Sequence, residues 1–242
     1  MAQEVFNLKQ AAEHVHLDVN ELRHAAQRGE IAANEHAGDW FFRHRDLDEW
    51  AQRNLLSAGA KEQDRQHQSM QALRRRAKSA ELRLAELIRL EGVELELPSK
   101  ARAGAIRDMS GLAARTGLVY DADGLFNELK EREDIASTAV GQGAAFLHPR
   151  FHDPYLFEET FLAYGRSARG VFFGAPDDAA TRHFFLICAT DHEVHLHILA
   201  RLAVLAHSET FLAALDAAET PEAVVAAVAA AESALLGQPG RA

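Results

Sequence analysis

A single cysteine, Cys188, occurs in 242 residues, so no intramolecular disulfide can form. It lies in the apolar run Phe184 to Ala189, which points to a buried structural thiol rather than a nucleophile. No stretch of eighteen apolar residues exists, so a membrane span is not expected. Met1 to Leu8 has no basic region followed by an apolar one, so no signal peptide is expected and a cytoplasmic location is. Positive charge is scarce as well. The net charge of -10 argues by itself against nucleic acid, whose binding rests on neutralising phosphates. The exception is residues 53–90, with nine Lys and Arg against four Asp and Glu.

What is present is ordinary: 48% hydrophobic and 26% charged residues, enough for one large or two unequal domains. Three zones emerge. In residues 1–52, Leu8, Ala11, Ala12 and Val15 recur at helical spacing, Asp18 is placed to cap a helix over Val19 to Gln27, and Gly29 stops it. Ile31 to Phe42 reads as a hairpin turning near Ala37-Gly38-Asp39, followed by a short helix from Arg45 to Gln52. The whole is about the size of a winged helix-turn-helix module.

Residues 53–82 form the second zone, a helical connector rich in Lys, Arg, Gln, Glu and Ala. Met70, Leu73, Ala77, Ala80, Leu84 and Leu87 alternate spacings of three and four, a seam of about two and a half heptads. Two readings stay open: a short coiled coil making a homodimer through residues 66–90, or a connector packed on its own domain.

The third zone, residues 83–242, alternates strands and helices. Strands are predicted at Val93 to Leu97, Ala144 to Leu147, Gly170 to Phe173 and Phe184 to Ala189. Helices are predicted over Lys100 to Thr116, Asp121 to Glu133, His195 to Leu205, Glu209 to Ala217 and Pro221 to Leu236. The expected fold class is α/β, a mixed sheet layered by helices, with the small winged helix-turn-helix and its connector in front.

The first zone resembles the excisionase or MerR-like helix-turn-helix. The residues that carry this are Asn7 to Val15, Val19-Asn20-Glu21-Leu22-Arg23, Gly29-Glu30-Ile31, Trp40-Phe41-Phe42-Arg43 and Asp46-Leu47-Asp48-Glu49-Trp50. The resemblance implies DNA as a partner, with Asn20, Arg23, His24 and Gln27 toward base edges and Arg43 and Arg45 toward phosphate. Glu13, Glu21, Glu30, Glu35 and Asp39 surround them, so reuse of the module as a protein adaptor is the rival reading.

The third zone resembles the enzyme IIA domains of the fructose, mannitol and nitrogen branches of the phosphotransferase system. It does so through Pro98-Ser99-Lys100, Arg132-Glu133-Asp134, Ser137-Thr138, Gly141-Gln142-Gly143-Ala144-Ala145-Phe146-Leu147-His148 and His195-Leu196 with Leu199-Ala200. The resemblance implies a phosphohistidine carrier. His148 would accept a phosphoryl group from an HPr-like phosphocarrier protein, with His195, Arg132 and Thr138 in support and no cofactor. Histidine suits that chemistry because it is neutral and nucleophilic near neutral pH, and one nitrogen can attack while the other is held. Gly141 and Gly143 would bring backbone amides to the phosphate, though a plain tight turn explains Gly-x-Gly equally well.

The family usually has proline before this histidine and a small residue after it. Here Pro149 follows, biasing His148 to extended backbone and removing the next amide donor. A IIA fold kept as an interaction module without phosphorylation is therefore the alternative. A sugar-transport carrier with an accessory N-terminal module is a further one. A metal-dependent hydrolase is the weakest. His192-Glu193-Val194-His195 misses the zinc-protease spacing by one position, and His195 and His197 diverge on a helix, so no metal is expected there.

Overall fold

The computed structural model of the chain describes residues 5–15, 17–36, 38–57, 82–150 and 156–237. The chain divides into two compact units, residues 1–55 and 56–242.

In the first unit Asn7 opens α1 (Leu8–His14) with a capping box: its side chain accepts from the Gln10 amide at 2.9 Å, and Gln10 accepts from the Asn7 amide at 3.1 Å. Asp18 caps α2 (Val19–Gln27), accepting from the Asn20 amide at 2.8 Å, and Gly29 leaves it at φ +70. The expected hairpin is β2 (Asn34–His36) with β3 (Asp39–Arg43); Ala37 in its turn lies outside the described residues. A further strand, β1 (Val5–Asn7), pairs with β3 and completes the order β1-β3-β2. Three residues are too few to show alternation, so the pattern did not reveal it. α3 (His44–Ser57) starts one residue before Arg45 and runs past Gln52. Leu22, Ile31, Phe42, Leu47 and Trp50 close the core of this unit.

Most of the connector, with Met70, Leu73, Ala77 and Ala80, lies outside the described residues. The last two positions of its seam are corrected. Arg83 is extended, at φ -116 and ψ 119, and starts a single turn, α4 (Leu84–Leu87), that passes at once into β4 (Ile88–Glu94). Leu84 is buried, and its amide donates to the Glu232 carboxylate, so it belongs to the core of the second unit and not to a heptad. Residues 84–90 are thereby removed from any coiled-coil dimer seam.

The second unit is a five-stranded mixed sheet, order β4-β7-β8-β6-β5, built from β4, β5 (Ala139–Gly141), β6 (Ala144–Leu147), β7 (Phe161–Val171) and β8 (Thr181–Cys188). β4 runs parallel to β7 and β6 parallel to β8; β7 with β8, and β5 with β6, are antiparallel. Side chains on β8 divide by parity. Phe184, Leu186 and Cys188 enter the core shared with α5 (Arg102–Arg115) and α6 (Ala122–Ile135). Phe185 turns the other way, its ring 6.4 Å from Phe211 on α8 (Glu209–Ala217). With both faces covered, the strand reads as a continuous apolar run.

Two strands differ from expectation. The one placed at Val93 to Leu97 is β4, displaced toward Ile88; the one placed at Gly170 to Phe173 is the tail of the eleven-residue β7. Gly165, Arg166, Ser167 and Arg169 dilute the apolar text of β7. Arg166 is there to hold the carbonyls of Leu215, Asp216 and Ala218 at 2.7–2.9 Å. α7 (His192–Ala206) is buried along nearly its whole length and largely apolar after its first turn, with Arg201 the charged exception, and α9 (Pro221–Gly237) ends the described chain. No single helix among the described residues is long and apolar enough to cross a membrane.

Candidate functional site

β6 and β8 run side by side in parallel, Phe146 opposite Phe185 and Leu147 opposite Leu186, so their carboxyl ends open at the same edge of the sheet. His148 is the first residue past β6. His195 lies in the first turn of α7, which follows β8 and is capped by Asp191 accepting from the Val194 amide at 3.0 Å. The two imidazole rings meet with centroids 4.8 Å apart and planes inclined by 59°.

Arg132 arrives from the last turn of α6. Leu125, Leu129, Arg132 and Glu133 are the buried residues of that helix, at spacings of four, three and one, so both charged side chains occupy its core-facing stripe. Arg132 Nε donates to His148 Nε2 at 3.1 Å, and its Nη1 donates to the Ala136 carbonyl at 2.9 Å, capping the chain as it leaves the helix. His148 Nδ1 lies 2.8 Å from the Phe146 carbonyl, an acceptor that demands a proton on Nδ1. The tautomer is thus set by partners on both sides: Nδ1 carries the hydrogen and Nε2 the lone pair, directed at a guanidinium.

The structure brings His148, His195 and Arg132 together. Both rings are enclosed, His148 being 0% and His195 1% accessible.

Thr138 has a different employment from the one expected. Its amide and hydroxyl both donate to the Glu133 carboxylate, the hydroxyl at 2.6 Å, so it positions Glu133. Burial pushes the Glu133 carboxyl above its usual range, while the Thr138 hydrogen bond and the Arg102 charge, with Nη2 at 3.0 Å, pull it back. Glu133 and Arg102 received no role from sequence reasoning. For Glu133 a signal existed, a charged residue on the buried stripe of α6.

Gly141 and Gly143 are a correction. They flank Gln142 in a turn of three successive positive φ values, 84, 54 and 76, at the entry to β6. His148 lies at its exit, roughly 16 Å of extended chain away, so these amides cannot cradle a group on its ring. The positive φ values and the Gln142 amide bond to Asp177 at 2.9 Å are those of a tight hairpin turn.

In the first unit Asn20, His24 and Gln27 are exposed on α2, and Arg23 is half-buried with Nη1 donating to Asn20 at 3.0 Å. Arg43 at the end of β3 and Arg45 on α3 are exposed. Arg28 bonds Glu30 at 2.6 Å, which reduces the basic surface beside them.

Residues 86–231 match the family described as phosphoenolpyruvate-dependent sugar phosphotransferase system, EIIA 2, and residues 5–55 match the helix-turn-helix domain. A fructose-specific EIIA component from Haloferax volcanii is 36% identical over 116 residues, covering 47% of this chain and 73% of that protein. A nitrogen regulatory protein from Bradyrhizobium diazoefficiens is 28% identical over 149 residues, covering 60% of this chain and 94% of that protein. Among solved structures, nitrogen regulatory protein IIA-Ntr from Neisseria meningitidis superposes with a TM-score of 0.54 at 23% identity, covering 60% of this chain and 97% of its own.

Proposed function

Given that the chain belongs to the EIIA 2 family of the phosphoenolpyruvate-dependent sugar phosphotransferase system through residues 86–231 and carries a helix-turn-helix domain at residues 5–55, we propose that it is a DNA-binding regulator whose His148 accepts a phosphoryl group. The observation that carries this reading is the defined tautomer of His148: Nδ1 is held on the Phe146 carbonyl and Nε2 faces Arg132 at 3.1 Å. In the transfer, the phosphorus–nitrogen bond of a phosphohistidine donor breaks as a bond to Nε2 forms, and the donor imidazole leaves with the electron pair. His148 keeps its Nδ1 proton, and the positive charge that develops on the ring is stabilised by the carbonyl it bonds. Arg132 supplies positive charge, and Arg132 and His195 supply donors to the phosphoryl oxygens, which is most of what such a transfer requires of a protein. Thr138 acts one step back, through Glu133. The donor is an HPr-like phosphohistidine carrier, and the setting is the cytoplasm.

Because the His148 ring is enclosed, transfer requires the site to open before a donor docks. That enclosure also favours a second reading, in which the domain is an interaction module that is never phosphorylated.

For the helix-turn-helix, Asn20, His24 and Gln27 are exposed along α2, the helix that would enter the major groove, with Arg23 beside Asn20. Arg43 and Arg45 are exposed, as contacts to phosphate would require.

Incubation of the full chain with a phosphorylated HPr-like carrier and acid-lability analysis of the product separates the readings. Acid-labile label that disappears in His148→Ala supports transfer. Absence of label, or label that survives the substitution, removes it and leaves the interaction module.

A further inference from the structure

In the first unit, three side chains that sequence reasoning did not single out as a group converge: His14 at the end of α1, and His44 and Asp48 one turn apart at the start of α3. We propose that they form a binding site for a divalent transition-metal ion, zinc or one of its neighbours, that clamps α1 to α3.

The geometry is close to what ligation demands. His14 Nε2 lies 2.7 Å from Asp48 Oδ1, His44 Nδ1 lies 3.5 Å from Asp48 Oδ2, and one ligand atom from each residue falls within 4.8 Å of the others. A zinc ion about 2.0–2.1 Å from each donor holds them roughly 3.4 Å apart, so small side-chain rotations suffice. His44 and Asp48 share one helix face by their spacing of four, and His14 comes from a different helix, which gives the site a rigid base and a cross-link. All three are half-buried, with side-chain exposures of 18% for His14, 36% for His44 and 17% for Asp48. The Phe6 ring stacks on His14 at 5.0 Å and lies 5.4 Å from His44. Stacking covers one face of the His14 ring and leaves Nε2 at the ring edge, where it meets Asp48 Oδ1 and where a shift of its proton to Nδ1 would turn a lone pair to the ion.

Two imidazoles with one carboxylate select transition metals over calcium or magnesium and leave a coordination position for water. Each imidazole ligates through an unprotonated nitrogen, its proton on the other nitrogen, and the doubly charged ion replaces hydrogen bonding as the partner of Asp48. The clamp closes directly after Arg43, the last residue of β3.

The test uses full-length protein stripped with a chelator and titrated with cobalt(II), its visible absorption reporting bound ion, followed by displacement with zinc. One equivalent is expected, with His14→Gln and His44→Gln each raising the dissociation constant at least about ten-fold and His207→Gln leaving it unchanged. Paramagnetic broadening of the His14 and His44 ring signals in unsubstituted protein gives the same answer if a variant fails to fold. Absence of saturable binding, affinity indifferent to His14 and His44, or broadening confined to His192, His195 and His197 overturns the site.

Discussion

Arg132 Nε donates to His148 Nε2 at 3.1 Å while the Arg132 Nη1 holds the Ala136 carbonyl at 2.9 Å, so one guanidinium fixes both the end of α6 and the nitrogen proposed to react. A lysine at this position keeps the charge but lacks the planar fork that makes both bonds at once. Arg132→Lys is expected to lower the initial rate of phosphoryl uptake by about 10²-fold, the loss typical of one preorganised donor, while circular dichroism remains that of the parent. A rate within two-fold of the parent would show that Arg132 serves only the helix end.

The hairpin turn gives the complementary case. Gly143 has φ +76, and a Cβ added there would meet nothing closer than the Ala180 carbonyl at 3.7 Å, so backbone strain alone is the penalty. Gly143→Ala is expected to cost about 1–2 kcal/mol in urea denaturation and to leave phosphoryl uptake unchanged, because the turn lies at the far end of β6. Loss of uptake in a folded variant would restore these glycines to the site.

What the sequence disclosed and what it hid follow a physical divide. Elements punctuated by local chemistry were legible: Asp18 and Asp121 accept from amides at the helix starts they were expected to open, and Gly29 and Gly117 take positive φ where helices were expected to stop. β7 was largely hidden because its partners are distant in sequence and Arg166 within it serves carbonyls some fifty residues on. Arg132, His148 and His195 could be named from their motifs, but burial of the histidine rings depends on tertiary closure that no local pattern encodes. Gly-x-Gly misled because its conformational signature is the same whether a phosphate or only a turn requires it.

Away from the candidate site, His183 on β8 is held by the Tyr164 hydroxyl at 2.9 Å from Nδ1 and lies 3.5 Å from Asp216 at Nε2. Burial lowers its pKa from 6.5 to about 4, with the nearby Arg182 and Arg166 charges acting in the same direction and Asp216 opposing. Its folded pKa is depressed, so the unfolded chain takes up a proton that the folded one refuses. The contribution to stability is complete above pH 6.5 and is lost as pH falls from there to about 4. The loss amounts to about 3 kcal/mol. Urea denaturation across this window should show a shallower pH dependence for His183→Gln than for the parent; identical slopes would mean that another group governs the acid limb.

Arg201 on α7 and Glu232 on α9 form an ion pair at 2.6 Å, each essentially without exposure, and Glu232 also accepts from the Leu84 amide with both oxygens at 3.0 Å. Arg201 donates in addition to the Leu82 carbonyl. The network fastens the chain entering the second unit to two of its helices. Glu232→Gln removes the counter-charge from a buried guanidinium, and the expected cost is about 3–5 kcal/mol in denaturation of the full chain. A loss below about 1 kcal/mol would mean that the pair behaves as a surface bridge.

DNA binding by the helix-turn-helix would have two separable components, because phosphate and base contacts respond differently to salt. Arg43 is exposed at the end of the wing strand β3, whereas Asn20 is exposed at the start of α2 with its oxygen bonded to Arg23. If Arg43 neutralises a phosphate, Arg43→Ala weakens binding to all sequences alike and lowers the slope of log affinity against log salt by about one. If Asn20 reads a base edge, Asn20→Ala leaves that slope intact and costs about 1–3 kcal/mol at a selected site but little on random DNA. Fluorescence anisotropy with selected and scrambled duplexes over a salt series measures both arms. Equal effects of the two substitutions on every duplex would exclude base reading by α2, and absence of DNA binding by the full chain, phosphorylated or not, would leave the helix-turn-helix as a protein adaptor.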